Sequence, residues 1–217
     1  LVESIISLNT KVKDLGEVNI FEESYREYKQ SGKQKSLSEI YWKKLKITDN
    51  KTITTNKWLF NYQYAGIIAK AIPNAKIIHC YRNPLDNILS TYRAHFATGN
   101  YFSSSLVDSA EVYSDQDEIM RTYKKEFKNH IYSLNYDKLV THPVDEIKSL
   151  IHWLGWSWND LYLSPHLNKR KVSTRSNVQV RSPINTKSLG GWKNYKEMLK
   201  PAMEIITKKK KYKDLKY

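Results

Sequence analysis

The chain has 217 residues, 40% of them hydrophobic and 27% charged, a balance that supports one core-forming domain and excludes a disordered chain. No apolar run reaches the roughly 20 residues of a membrane-spanning helix, and the single cysteine, Cys80, excludes an internal disulfide and a cysteine-based zinc cluster. Net charge is +14, and residues 165–217 hold fifteen Lys/Arg against three acidic residues, a field that draws anionic partners without choosing among nucleic acid, an acidic membrane and a phosphorylated cofactor.

From the start, residues 1–8 (L-V-E-S-I-I-S-L) place apolar side chains at 1, 2, 5, 6 and 8, the spacing of a short helix. Beyond a turn at Gly16, residues 21–30 and 37–45 read as amphipathic helices. Residues 51–55, rich in Thr and Ile, read as a strand. Residues 58–71 have helical spacing and stop at Pro73-Asn74, a turn signal. Residues 75–80 (A-K-I-I-H-C) form a short apolar run that predicts a buried strand. Pro84 suits the first turn of a helix over 85–94. A long polar helix over 107–129, a strand over 130–136, a helical turn over 137–140 and a helix over 144–154 follow. Residues 164–191 lack apolar periodicity and read as loop, and helices over 192–199 and 202–211 close the chain. Strands alternating with helices predict an α/β layered fold with a parallel sheet.

Three groups of residues suit chemistry. The strand at 75–80 delivers Arg82 to its carboxyl end, and Ser90 lies two turns into the next helix. An arginine fork and a serine hydroxyl so placed suit a phosphate, although the spacing equally allows a surface arginine and a packed serine. The loop V-S-T-R-S-N-V-Q-V-R-S-P at 172–183 is dense in donors, and K-S-L-G-G-W-K-N-Y at 187–195 adds a Gly-Gly pair that permits close backbone approach and a tryptophan face for packing. Such a loop suits an anion and equally suits plain solvation. Glu17 and Lys57 sit near turns, where they are either a general base and an electrostatic stabiliser or two surface charges. The six histidines show no metal-ligand spacing, so no metal is expected.

Taken together, the motifs resemble a sulfotransferase of the branch that holds tyrosylprotein sulfotransferases and bacterial tetratricopeptide-linked sulfotransferases. In family order they are L-V-E-S-I-I from Leu1, G-E at 16–17, N-K-W at 56–58, P-N-A-K-I-I-H-C-Y-R-N-P-L-D-N-I-L-S at 73–90, N-Y-D-K-L-V at 135–140, and the two late segments above. The resemblance implies a P-loop-NTPase-like three-layer α/β fold, a parallel sheet flanked by helices. It implies one domain over 1–217 with a basic tail at 207–217, its first strand and phosphate loop lying upstream of Leu1, and tetratricopeptide repeats further upstream. The family proline beside the lysine is replaced at Trp58 or Leu59, on the acceptor side.

The implied activity is in-line transfer of a sulfuryl group from 3′-phosphoadenosine 5′-phosphosulfate (PAPS) to a hydroxyl or amine of a carbohydrate, peptide or small molecule, without a metal. Glu17 matches the base, and Lys57 and Ser173 match groups that stabilise charge on the sulfate. Arg82 and Ser90 match the pair on the 3′-phosphate and Tyr136 a cofactor-binding tyrosine, while Ser173, Thr174, Ser176, Gln179 and Arg181 match the segment wrapping the nucleotide. A lone cysteine leads to the expectation of a reducing compartment such as the cytoplasm. Three competing readings are a nucleotide phosphotransferase on the same fold, a basic nucleic-acid-binding module, and a non-catalytic fragment. The Arg82-to-Ser90 spacing and the late segment favour 3′-phosphate recognition over the first.

Overall fold

A computed structural model of the chain describes residues 1–32, 34–47, 52–94, 96, 99–168 and 181–215. Nine α-helices and four strands alternate among these residues. They run α1 (Val2–Ile6), β1 (Val12–Asp14), α2 (Ile20–Gln30), α3 (Leu37–Leu45), β2 (Ile53–Thr55), α4 (Ala65–Ala71) and β3 (Ile77–Tyr81). Then come α5 (Pro84–Arg93), α6 (Leu106–Glu126), β4 (Ile131–Asn135), α7 (Tyr136–Thr141), α8 (Pro143–Leu154) and α9 (Lys196–Thr207). The α/β class expected from the sequence is the observed one. No helix among the described residues is long and apolar enough to cross a membrane.

All strand pairing is parallel. β1 pairs with β2 from Val12↔Ile53 to Asp14↔Thr55, and β3 pairs with β4 from Ile77↔Ile131 to Tyr81↔Asn135. The described strands thus make two two-stranded ladders rather than one continuous sheet. Successive side chains of a strand point to opposite faces, and the clusters follow that rule. Ile77 and Ile131 pack with Ala65 of α4 and Met120 of α6. Their neighbours Ile78, Tyr132 and Leu134 pack with Ile5 and Ile6 of α1 and Ile147, Leu150 and Ile151 of α8. Helices therefore cover both faces of the β3–β4 pair, giving three layers. A further apolar cluster joins Leu85, Ile88 and Leu89 of α5 with Ala110 and Tyr113 of α6, Trp192, and Leu199, Ala202, Met203 and Ile206 of α9.

Local chemistry sets the helix ends. Ser36 and Glu39 form a reciprocal capping box that starts α3, and α8 begins at Pro143 and ends at Gly155, whose φ of +79° suits a residue without Cβ. Three elements differ from expectation. β1 is too short to show periodicity and exists only through its pairing with β2. The helix expected over 58–71 begins as a 3₁₀ segment, Leu59–Tyr64, before α4. The two helices expected on either side of Pro201 are one, α9, since proline removes one intrahelical hydrogen bond while Leu199, Ala202, Met203 and Ile206 all bury on the same core.

Candidate active site

Parallel pairing brings the carboxyl ends of two strands together, and in each ladder the sequence places its candidate residues just past that end. In the β1–β2 pair the hydrogen bonding continues beyond the strands, with Leu15 N–H donating to Thr55 O at 3.0 Å and Lys57 N–H to Gly16 O at 2.9 Å. Gly16, at φ +71°, turns the chain there. Glu17 and Lys57 emerge side by side, and Lys57 Nζ donates to Glu17 Oε1 at 2.5 Å. Their side chains are 48% and 33% exposed, so the pair is worth at most about 1 kcal/mol and an incoming substrate can separate it. Glu3 of α1, buried, accepts the Thr55 hydroxyl at 2.8 Å and anchors the strand end that carries Lys57.

The β3–β4 pair does the same with Arg82 and Tyr136. Tyr81 and Asn135 are register partners, so the next residue of each chain lies beside the other, and the Arg82 guanidinium sits 5.0 Å from the Tyr136 ring centroid. Both strands turn into helices through an asparagine cap. Asn83 Oδ1 accepts from Leu85 and Asp86 N–H, and Asn135 Oδ1 accepts from Asp137 and Lys138 N–H. Asn83 N–H in turn donates to Asp137 Oδ2 at 2.8 Å, tying the two turns together.

The late loop closes over this corner. Arg82 Nη2 donates to Ser188 O, and the Tyr136 hydroxyl lies 2.7 Å from Ser188 Oγ. Asp86, buried on α5, accepts Gly190 N–H at 2.7 Å and Trp192 N–H at 3.0 Å, and lies 3.6 Å from Arg82 Nη2. Gly190 is in the left-handed region at φ +67°. Gly190 of the Gly-Gly pair therefore serves a carboxylate of this chain through its backbone N–H, and Trp192 does the same while its side chain belongs to the core. Arg82 Nε is buried without a hydrogen-bond partner, so one donor of the fork is still to be satisfied at a strand end, where it suits an anion.

Other candidates are more dispersed. Ser90 lies exposed on α5. Arg181 is exposed and donates to Asn168 O at 2.6 Å, while Asn168 Nδ2 donates to Ser4 O and Ser7 Oγ on the α1 side. Ser173, Thr174, Ser176 and Gln179 lie outside the described residues. Asp86, Ser188 and the two capping asparagines were not singled out from the sequence. Only Asn83-Pro84, a polar cap before a proline, carried a legible signal.

The model of a sulfotransferase family matches residues 8–160. The chain belongs to that family. An uncharacterized protein of Aquifex aeolicus (strain VF5) is 32% identical over 176 residues, covering 79% of this chain and 23% of that protein. Protein-tyrosine sulfotransferase 1 of Danio rerio is 27% identical over 145 residues, covering 63% of this chain and 41% of its own length. The chain thus spans less than half the length of these two curated relatives. Among solved structures, a sulfotransferase domain from the curacin biosynthetic pathway is similar at 14% identity and a TM-score of 0.47, covering 91% of this chain and 72% of that one. In this sulfotransferase-family chain the matched span includes Glu17, Lys57, Arg82, Ser90 and Tyr136 and stops short of the late loop that docks on Arg82 and Tyr136.

Proposed function

We propose that the chain transfers a sulfuryl group from PAPS to an acceptor hydroxyl or amine by in-line displacement, with Glu17 as the base. The observation that carries this reading is Arg82, stacked on Tyr136 at the carboxyl ends of two parallel strands with a buried Nε still unpaired. A 3′-phosphate fits that donor, and Ser90 on the helix that follows, with Tyr136 beneath the guanidinium, completes the assignment. PAPS when bound supplies an activated sulfuryl group on a nucleotide leaving group.

The chain's own residues do the rest. Glu17 takes the proton of the attacking acceptor, and Lys57, now its ion-pair partner, turns its ammonium to the negative charge on the transferring group. As in phosphoryl transfer, positioning and fixed charge supply most of the acceleration. Ser173 shares the charge-stabilising role, and Thr174, Ser176, Gln179 and Arg181 are assigned to the nucleotide. Arg181 would have to leave Asn168 to reach it.

Calorimetric titration with adenosine 3′,5′-bisphosphate beside adenosine 5′-monophosphate tests the reading. The expected result is a clear preference for the bisphosphate that disappears in Arg82→Ala. Equal loss of both nucleotides in that variant would overturn the 3′-phosphate assignment.

A further inference from the structure

Residues 208–211 are four consecutive lysines, a run that composition assigns to solvent. The chain instead turns back after α9 in a 3₁₀ segment, Lys210–Tyr212, and lies along α6. Lys209 Nζ is 3.0 Å from Glu118 Oε2 and Lys211 Nζ is 2.7 Å from Asp117 Oδ1. Tyr212 and Leu215 pack against the cluster that holds Leu85, Ile88 and Leu89 of α5. Lys211 also lies 5.9 Å from the Tyr81 ring, next in sequence to Arg82, and 4.8 Å from that of Tyr212.

Tyr113 connects this segment to the site. It is a buried residue of α6 whose hydroxyl donates to the backbone carbonyl of Arg82 at 3.1 Å and lies 3.4 Å from the Tyr212 hydroxyl. A carbonyl oxygen can only accept and a phenol has one proton. Tyr113 therefore spends its proton on Arg82, while the Tyr212 hydroxyl, which hydrogen-bonds the Asp117 carboxylate and must donate to it, stays in long contact with Tyr113 and joins it to the acidic end of the segment's docking site. Burial pushes the Tyr113 phenol far above its ordinary range, so it remains a donor throughout the working pH range. The bond lands on the peptide unit between the end of β3 and the Asn83 cap, where the course of the Arg82 side chain is set.

We propose that residues 209–215 form a clasp that holds Arg82 in its anion-binding position, with Tyr113 and Tyr212 as positioning residues. The inference rests on the reading of Arg82 as the 3′-phosphate ligand. Both lysines of these pairs are solvent-accessible and the pairs individually weak, so ring packing and the hydroxyl contacts of Tyr113 and Tyr212 carry the docking while salt weakens the lysine contribution.

The test uses the whole chain, with Tyr113→Phe, Tyr212→Phe and Arg82→Ala each compared with the parent. The phenylalanine variants keep the ring and its packing and remove only the hydroxyl. For Tyr113→Phe the expected result is a loss of about three- to tenfold in bisphosphate affinity, the equivalent of one ordinary hydrogen bond. The affinity for 5′-monophosphate and Tm should stay near the parent, and hydrogen exchange at the Asn83 and Asp86 amides should be faster. Tyr212→Phe should shift the same readouts in the same direction by less.

Unchanged exchange at those amides in Tyr113→Phe overturns the clasp whatever the nucleotide does. Bisphosphate preference kept in both phenylalanine variants but lost in Arg82→Ala overturns the clasp and leaves the cofactor reading standing. Parent-like preference in Arg82→Ala overturns the cofactor reading and with it the functional role of the clasp. Equal loss for both nucleotides together with a fallen Tm assigns Tyr113 a merely structural role and also overturns it.

Discussion

Asp86 on α5 accepts the backbone N–H of Trp192, 106 residues further along the chain, at 3.0 Å. The same carboxylate takes the Gly190 N–H and faces the Arg82 guanidinium. One buried side chain thus joins the turn that carries the phosphate-binding candidate to the loop that covers it. Backbone donors in a loop have no ladder to satisfy them, and a carboxylate that accepts two of them while paired with an arginine is a strong local tie.

Asp86→Ala should therefore lower stability by about 2–4 kcal/mol, because it strands two backbone donors and leaves a mostly buried guanidinium without its counter-charge. Asp86→Asn, which keeps one acceptor oxygen, should cost less. Urea unfolding of the three proteins measures both, and an Asp86→Ala midpoint equal to the parent's would refute the tie.

If Glu17 is the base, Glu17→Gln should leave bisphosphate affinity unchanged and lower turnover by about 10²–10⁴-fold, the usual contribution of a positioned base. Single-turnover kinetics with a sulfate acceptor provide the measurement. Parent-like turnover would remove Glu17 from that role.

Gly66→Ala tests the packing of α4 on α6. On an isolated helix alanine would be favoured over glycine by about 1 kcal/mol. Here an added Cβ would come to 2.6 Å from Tyr123 Cε1 and 3.2 Å from Phe127 Cε2. The Tyr123 ring is held by its hydroxyl on Gln63 O, so the overlap should win and the variant should be less stable by about 1–3 kcal/mol. Thermal unfolding reads the sign directly.

His79 predicts a stability change with pH. Burial lowers its pKa from 6.5 to about 4, with Lys124 and Lys211 acting in the same direction and Asp117 against them. The unfolded chain takes up the proton first as pH falls, so the contribution is complete above about 6.5. It declines as pH drops toward about 4, by on the order of 1–3 kcal/mol in total. Urea midpoints at a series of pH values should show this slope, and His79→Leu should flatten it. An equal slope in the variant would place the titration elsewhere.

The sequence was informative where the signal is local. Apolar periodicity, with Pro84 as a first-turn residue, placed α2, α3, α5 and α8 within a residue or two. It failed at β1, three residues defined wholly by a parallel partner some 40 positions away. It failed again at Pro201, where the local penalty for proline in a helix is outweighed by the burial of the residues around it. Arg82 was legible as the residue just past an expected strand, whereas Glu17, Lys57 and Tyr136 were named through the family motifs, and it is parallel pairing that brings Glu17 beside Lys57 and Tyr136 beside Arg82.

The sequence by itself determined the α/β class, the order of the elements apart from β1, and the place of Arg82 past a strand end, since each of these follows from periodicity and near-neighbour chemistry. Only the tertiary structure decided what holds those residues. Asp86 meets Gly190 and Trp192, Tyr113 meets Arg82, and the lysine-rich end lies on Asp117 and Glu118. These partners are separated by roughly 30 to 110 residues, and no spacing rule links them. They come together because three helices, α5, α6 and α9, bury one apolar cluster, and that packing sets which polar groups face each other at its rim.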